Sequence, residues 1–307
     1  MENPQRPTLY PISNPPAQRR LPEWLKRPLP SGRTYNHTHE TIKNLKLETV
    51  CESAQCPNLG ECWSAGTATF MIMGERCTRR CSFCAVKTAR PGPLEKDEPL
   101  RVATACQKMG LKHVVITSVA RDDLKDDGAD HFAKVITATR RLCPDLTIEV
   151  LTPDFKAKFE CLDLIYQAAP DVFNHNVETV KRLTREVRSV ATYERTMMVL
   201  NYMASQPDPP VIKSGFMVGL GESMDEIVEL LEDLRDNQVQ MLTVGQYLRP
   251  SKEHHEVIKY YHPDEFIEIK RSAEAMGFEQ VASGPFVRSS YHAELTHQER
   301  LHTLSSK

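Results

Sequence analysis

From about residue 68 the chain repeats one rhythm, and that rhythm limits its fold more than any other feature. Apolar strand-like runs at 68–73, 113–118, 147–152, 172–175, 212–220 and 241–247 alternate with segments of helical period at 99–109, 129–142, 157–168, 193–204 and 223–237. The switch between a continuous apolar run and a 3.6-residue period separates strand from helix. Local punctuation agrees. Gly110 stops one helix, and Ser223 with Glu226 forms a capping-box pattern ahead of Ile227, Val228, Leu230 and Leu231. A last helix is bounded by Pro263 and Gly277. Strands that alternate with helices predict a parallel sheet, since parallel neighbours need a crossover and antiparallel ones do not. A barrel and a doubly wound sheet both satisfy the pattern. Either one gathers functional residues at the C-terminal ends of its strands. Thr117, Ser118, Arg121 and Asp122 follow the second run, Asn174, His175 and Asn176 the fourth, and Gln246 and Tyr247 the sixth. Together they are expected to ring one opening.

The start of the chain is different. Its first 35 residues carry eight prolines and few periodic apolar positions, so this segment is expected to lie extended on the surface, anchored by Trp24 and Leu25. Lys+Arg 39 against Asp+Glu 41 is nearly balanced, which disfavours a general binder of nucleic acid or acidic membrane. Two tryptophans and 7% aromatics give little surface for stacking bases. No apolar run reaches the roughly 18 residues of a membrane span. The N-terminal stretch lacks a signal peptide's apolar segment, and its prolines oppose a transit helix. The expected location is the cytoplasm, where clustered cysteines act as metal ligands more readily than as disulfides.

Six of the nine cysteines fall within 34 residues, as Cys51, Cys56 and Cys62, then Cys77, Cys81 and Cys84. Each triplet offers three soft thiolates on a short stretch, which suits soft metals and iron–sulfur clusters. A structural zinc or an ordinary cluster wants four ligands, so each triplet leaves a position open or borrows a donor from elsewhere. The second triplet directly follows the first strand, at the expected mouth of the sheet. Its C-x3-C-x2-C spacing can wrap three corners of a cubane. A zinc site or incidental thiols are the competing reading, weakened by that position and by the second triplet beside it. Cys106, Cys143 and Cys161 lie on expected helices with no partner at metal spacing and read as small core residues. The acidic run 121–128 fails the alternating carboxylate spacing of a calcium loop, because Lys125 interrupts it. It reads as a loop touching cofactor or substrate, or as a solvated turn. Gly219-Leu220-Gly221-Glu222 lacks the third glycine of a dinucleotide fingerprint. His254 and His255 have no ligand partner at i+4 and are expected on a solvated surface.

With Phe83 before its last cysteine, the loop CTRRCSFC resembles that of the radical S-adenosylmethionine enzymes. The resemblance implies a partial (β/α)6 TIM-type barrel at 68–276. It also implies a cluster on Cys77, Cys81 and Cys84 whose open iron binds S-adenosylmethionine and cleaves it to methionine and a 5′-deoxyadenosyl radical. The upstream C-x4-C-x5-C is more specific. CPNLGECW, GTATFMI, VVITSVARDDLKDDGADHF, DVFNHNVETV, KSGFMVGLGE, TVGQYLRPS and GPFVRSSYHA resemble the lipoyl synthase family from about residue 45 to 294.

That resemblance implies a barrel with extensions: the proline-rich 1–35, a segment 36–67 carrying the auxiliary-cluster cysteines, and a tail 277–307 with the R-S-S-Y motif. Cys51, Cys56 and Cys62 would hold an auxiliary [4Fe–4S] cluster, closed by Ser290 rather than Ser289. An alkoxide is harder and more easily reprotonated than a thiolate, which suits a cluster built to be dismantled. The implied reaction inserts two sulfur atoms, drawn from the auxiliary cluster, at C6 and C8 of an octanoyl chain on a protein lysine. It consumes two S-adenosylmethionine molecules per lipoyl group. Thr117, Ser118, Arg121, Asn174, Asn176 and Gln246 are the expected S-adenosylmethionine contacts. Implied partners are an octanoylated lipoyl carrier domain or H protein, a ferredoxin or flavodoxin reductant, and an iron–sulfur assembly or carrier protein, with no nucleic acid and no membrane. Two other readings compete. One is a two-cluster electron carrier, which would need both clusters fully ligated. The other is another sulfur-inserting or methylthiolating radical enzyme, and methylthiolating enzymes bring a separate RNA- or protein-binding module for which this chain has no room.

Overall fold

The computed structural model describes residues 21–26, 33–291 and 293. The rest of the proline-rich start and most of the tail beyond the R-S-S-Y motif lie outside the described residues. Of the two expected anchors, Leu25 is buried, while Trp24 stands half exposed with its ring 5.2 Å from that of His262.

An N-terminal layer comes first: α1 (Arg33–Asn44), β1 (Glu48–Thr49), α2 (Val50–Ser53) and α3 (Leu59–Ser64). Then β2 (Thr69–Ile72) opens the main sheet, and a two-stranded ladder of β3 (Arg76–Cys77) and β4 (Lys87–Thr88) follows it. The chain continues through α4 (Glu98–Met109), β5 (His113–Ser118), α5 (Ala129–Leu142), β6 (Thr147–Leu151), α6 (Phe159–Gln167) and β7 (Val172–Asn174). It ends with α7 (Thr184–Val187), α8 (Tyr193–Ala204), β8 (Val211–Val218), α9 (Met224–Asp236), β9 (Met241–Gln246), α10 (Pro263–Ala275) and β10 (Gln280–Gly284). The expected stops are in place. Gly110 caps α4 in the left-handed region at φ 62°, and Ser223 and Glu226 make both hydrogen bonds of the capping box on α9. Cys106 and Cys161 are buried as expected, and Cys143 is partly so.

The main sheet runs β1-β2-β5-β6-β7-β8-β9-β10, with β1 antiparallel to β2 and all later neighbours parallel. From β2 onward, spatial order follows chain order without reversal. Right-handed crossovers then keep the helices on one face of the sheet. A doubly wound sheet reverses its strand order partway and carries helices on both faces. The order therefore settles the open alternative in favour of barrel-type winding. Among the described residues β10 pairs only with β9, so the barrel is open, and β10 adds a seventh parallel strand to the six expected. The last ladder ends before the R-S-S-Y motif. The ladder spans Gln280–Gly284, and the chain turns at Pro285 and Phe286. Proline has no N–H to offer a parallel neighbour, so the ladder stops there.

Apolar strand residues fill most of the interior, but a charged group sits within it. Glu149 on β6 meets Lys213 on β8 at 2.7 Å and His113 on β5 at 3.2 Å, and it accepts a bond from Asn174 Nδ2 on β7 at 3.3 Å. Burial alone would raise the Glu149 pKa; Lys213 and His113 overcome it and hold the carboxyl down to about 2. Removing one partner of such a pair leaves a buried, uncompensated charge. Lys213→Met is expected to cost about 3–5 kcal/mol at neutral pH, measured by urea denaturation. The carboxyl titrates near 4.5 when unfolded and about 2 when folded, so the pair's contribution is complete above pH 4.5 and fades as pH falls toward 2. The gap between wild type and variant should close over that window.

Candidate active site

The second cysteine triplet is held at the C-terminal end of β2 by backbone geometry first. Met73 at φ 69° and Gly74 at φ 92° turn the chain out of the sheet. Cys77 then pairs with Thr88 across the β3–β4 ladder, closing the base of a loop that carries Cys81 and Cys84. Cys77 Sγ accepts hydrogen bonds from the backbone N–H groups of Arg79, at 3.4 Å, and Ala120, at 3.3 Å. Burial pushes the Cys77 thiol up and Cys84 to about 12, and the other thiols of the loop add to both. Bare thiolates are costly here, so three of them together fit a cationic iron–sulfur core that compensates their charge.

Charged side chains clamp this loop from below. Arg79 is buried and grips Asp122 with two bonds, Nε at 2.8 Å and Nη2 at 2.7 Å, while Nη2 also lies 2.7 Å from Asp154. Asp154 is fully buried and sits at the head of a turn in which Phe155, Lys156 and Ala157 all have positive φ, at 42°, 52° and 55°. Its carboxylate accepts the Lys156 N–H at 3.1 Å, which helps stabilise that turn. Burial opposes ionisation of Asp154, but Arg79 holds its pKa down to about 2. The acidic run 121–128 belongs to the same clamp. Asp122 binds Arg79, Asp123 binds Arg121, and Asp127 binds Lys156 and Lys158. Its ion pairs brace the second cysteine loop, so it is not a solvated turn.

The first triplet sits in the N-terminal layer, with Cys51 on α2, Cys62 on α3 and Cys56 between them. Burial pushes Cys51 to about 11 and Cys62 to about 12, and the charges of the neighbouring cysteines of the triplet raise them further. The C-terminal segment after β10 docks onto this triplet. Asn58 Nδ2 donates to Phe286 O at 2.7 Å, and Tyr291 Oη donates to Glu61 Oε1 at 2.7 Å, joining residues 228 and 230 positions apart. Arg288 is close enough to Cys56 to feel its charge. Beneath the segment, Gly245 of β9 permits the approach, for a Cβ there would lie 2.1 Å from Val287 O. Ser289 Oγ accepts from Asn176 Nδ2 at 2.6 Å, so that hydroxyl is engaged. Ser290, next to it, makes no such bond among the described residues. Also among the described residues, no three His, Cys, Asp or Glu side chains group as ligands of a single metal ion. Thiols of a cubane each bind a different iron and stand farther apart than the ligands of one ion.

The expected S-adenosylmethionine contacts divide into two groups. Ser118 Oγ, Asn174 Oδ1 and Asn176 Oδ1 are buried without a hydrogen-bond partner, as groups that await a ligand would be. Thr117, Arg121 and Gln246 are engaged by the protein. Thr117 bonds to Leu151 O, and the Arg121 guanidinium is taken by Asp123, Gly92 O and Met73 O. The Gln246 amide links Val218, Tyr247, Lys259 and Tyr261 backbone groups, an approach that Gly219 allows because a Cβ there would lie 2.2 Å from Gln246 Nε2. His175 is likewise satisfied internally, by Thr152 O and Thr196 Oγ1, and burial pulls its pKa to about 4. Three residues escape strand-end reasoning or were placed elsewhere by it. Burial raises the carboxyl of Glu178, which lies near Cys84, and it lowers Arg188, which bonds Thr196 Oγ1 at 2.8 Å. Glu178 follows β7 by four residues and a longer strand-end window would have found it; Arg188 carries no such signal. His254 is not a solvated surface residue, for its Nε2 lies 3.1 Å from Cys84 O.

Comparison with known proteins agrees with this arrangement. The radical SAM superfamily profile matches residues 71–234, and the profile for the N-terminal domain of lipoyl synthase matches residues 12–56. The chain is 52% identical to the lipoyl synthase of Rubrobacter xylanophilus over 98% of its own length and 95% of that protein's. It is 53% identical to the lipoyl synthase of Geobacillus sp. strain WCH70, covering 90% of this chain and 93% of that one. Among solved structures, methylornithine synthase superposes with a TM-score of 0.55 at 13% identity, covering 80% of this chain and 74% of that one. The FeFe-hydrogenase maturase HydG from Carboxydothermus hydrogenoformans gives 0.54 at 14%, covering 87% and 69%. At those identities the likeness concerns the fold alone. Two profiles and near-full-length identity of about half thus converge on one assignment: the chain belongs to the lipoyl synthase family of radical S-adenosylmethionine enzymes.

Proposed function

We propose that the enzyme inserts two sulfur atoms, at C6 and C8 of an octanoyl chain carried on a lysine, and that its two cysteine triplets divide the work. The observation that carries this reading is the docking, among the described residues, of the R-S-S-Y segment beside the first triplet, at Asn58 and Glu61. Asn176, at the end of β7, holds Ser289 of the same segment, so a serine can complete the first set while the other keeps three thiols. Family membership implies S-adenosylmethionine and a four-iron cluster; the second cluster belongs to the proposal. Carbons 6 and 8 have no acidic hydrogen, so a general base cannot activate them. The four-iron cluster on Cys77, Cys81 and Cys84, with S-adenosylmethionine, supplies the radical chemistry that they require.

The protein's part is holding and orienting. Cys51, Cys56, Cys62 and Ser290 hold the auxiliary cluster, which is consumed as the sulfur-donating substrate. Asn176 holds Ser289 and so sets the position of Ser290. Ser118, Asn174 and Asn176 offer the polar atoms left for S-adenosylmethionine, two of which are used per lipoyl group. Thr117, Arg121 and Gln246 support the surrounding loops. The octanoyl chain arrives on a lipoyl carrier domain or H protein, electrons come from ferredoxin or flavodoxin, and an iron–sulfur assembly protein restores the auxiliary cluster in the cytoplasm. No helix among the described residues is long and apolar enough to cross a membrane. Reconstituted protein should hold about eight iron atoms per chain, four for each cluster. Incubated with reductant, S-adenosylmethionine and an octanoyl-lysine peptide, it should add two sulfur atoms to the peptide by mass spectrometry. A peptide recovered without sulfur would overturn the reading.

A further inference from the structure

The segment after β9 does not drift into solvent. It folds back across the second cysteine loop as a strap whose own bonds fix its shape. Arg249 donates to His254 O at 2.9 Å, and Tyr247 Oη donates to His255 O at 2.8 Å. Two carbonyls of the cysteine loop then receive donors from this strap. The His255 N–H reaches Ser82 O at 2.9 Å, and His254 Nε2 lies 3.1 Å from Cys84 O. A carbonyl can only accept, so His254 Nε2 carries its proton. On the other side of the ring, His254 Nδ1 is 2.8 Å from Ser251 Oγ. Ser251 Oγ already accepts the Glu253 N–H at 3.3 Å, which leaves its own proton free to donate to Nδ1. The Ser251–His254–Cys84 chain is therefore consistently oriented, Ser251 Oγ donating to Nδ1 and Nε2 donating to Cys84 O.

The strap also leaves the sheet next to the place where the other triplet is organised. Gly245 lies beneath Val287 of the R-S-S-Y segment, and Tyr247, two residues on, holds the strap. One strand end thus supports both cysteine sets. We propose that His254, oriented by Ser251, is a positioning residue that fixes the Cys84 end of the second cysteine loop and thereby its distance from the first triplet. The proposal rests on the reading of Cys77, Cys81 and Cys84 as the S-adenosylmethionine-binding set. If the loop drifts, a radical formed there should meet its target carbon less often, and cofactor should be consumed without sulfur transfer.

The test uses the full chain in four forms: wild type, His254→Ala, His254→Gln and Ser251→Ala. Hydrogen exchange of the cluster-free chain reads the loop directly. Loss of one hydrogen bond should speed amide exchange in 81–86 by roughly five-fold in His254→Ala and by less in Ser251→Ala. Glutamine places a donor near the Nε2 position and should restore wild-type exchange. In reconstituted enzyme, 5′-deoxyadenosine formed per sulfur inserted should rise in His254→Ala and return toward wild type in His254→Gln. Unchanged exchange in both alanine variants, or no rescue by glutamine, overturns the proposal. If His254→Ala fails to fold, Ser251→Ala decides by the same measurement. Failure of wild-type enzyme to form the dithiolated peptide would sink the functional reading and leave the exchange result standing.

Discussion

Cys81→Ala protein is expected to lose 5′-deoxyadenosine formation entirely, whereas Cys56→Ala protein keeps it and loses only sulfur transfer. The two cysteines lie on separate loops with separate supports. Cys81 belongs to the loop clamped by Arg79, Asp122 and Asp154, and Cys56 to the layer covered by residues 286–291. Removing one thiol from a three-thiol set leaves two, too few to keep a four-iron cluster in place. Each variant should therefore retain about four of the eight irons, from the untouched set. Cleavage in Cys56→Ala should stay within about tenfold of wild type, a barrier change of ~1.4 kcal/mol. Product analysis by chromatography and mass spectrometry separates the two outcomes. Lipoyl product from Cys56→Ala would show that the first triplet is not the sulfur source, and loss of cleavage in that variant would show that the two sites are one unit.

The second large effect should come from a residue with no side chain. At Gly245 a Cβ would lie 2.1 Å from Val287 O and 3.1 Å from Arg288 Nη1. The guanidinium can swing aside, but the Val287 carbonyl is backbone and moves only with its segment. Gly245 is also within β9, paired on both sides with β8 and β10. The ladder resists displacement, and the docked segment should yield instead. Overpacking of this kind costs about 1–3 kcal/mol, or roughly 5- to 150-fold in the docked population. Gly245→Ala should consequently lower auxiliary iron, lose most sulfur transfer and keep 5′-deoxyadenosine formation. Limited proteolysis within 285–291 should accelerate. Full iron content together with wild-type product would mean that the segment need not dock as it does here.

Much of the scaffold was legible because it is written locally. The capping box on α9, the left-handed glycine after α4 and all six apolar runs lie where residue pattern placed them. The seventh parallel strand, β10, which the six runs do not include, shows the limit. Pro285 lies inside an apolar stretch, and the ladder ends before it. Long-range partners were less legible. Gln246 and Arg121 occupy strand-end positions where ligand contacts are expected, yet their polar atoms find backbone partners in Lys259, Tyr261, Gly92 and Met73. Asn176 follows a strand in the same way and meets Ser289, 113 residues on. Nothing in the local pattern distinguishes these cases, because a polar side chain at a strand end must find some partner. His254 misled for a related reason. It has no ligand partner at i+4, so it reads as a solvated residue, and only the fold-back reveals what its ring touches.

By itself the sequence determined the parallel strand–helix alternation and the two sets of three thiols. Both follow from spacing along the chain: period fixes which face a residue occupies, and a loop's length fixes what it can wrap. Tertiary structure alone decided what lies beside the first set. Winding in a single direction brings β9 and β10 to the edge where residues 286–291 reach Asn58 and Glu61, and the missing side chain at Gly245 lets that segment come close. Contacts across some 230 residues depend on sheet order and close steric fit rather than on spacing, so they become visible only when the chain is folded.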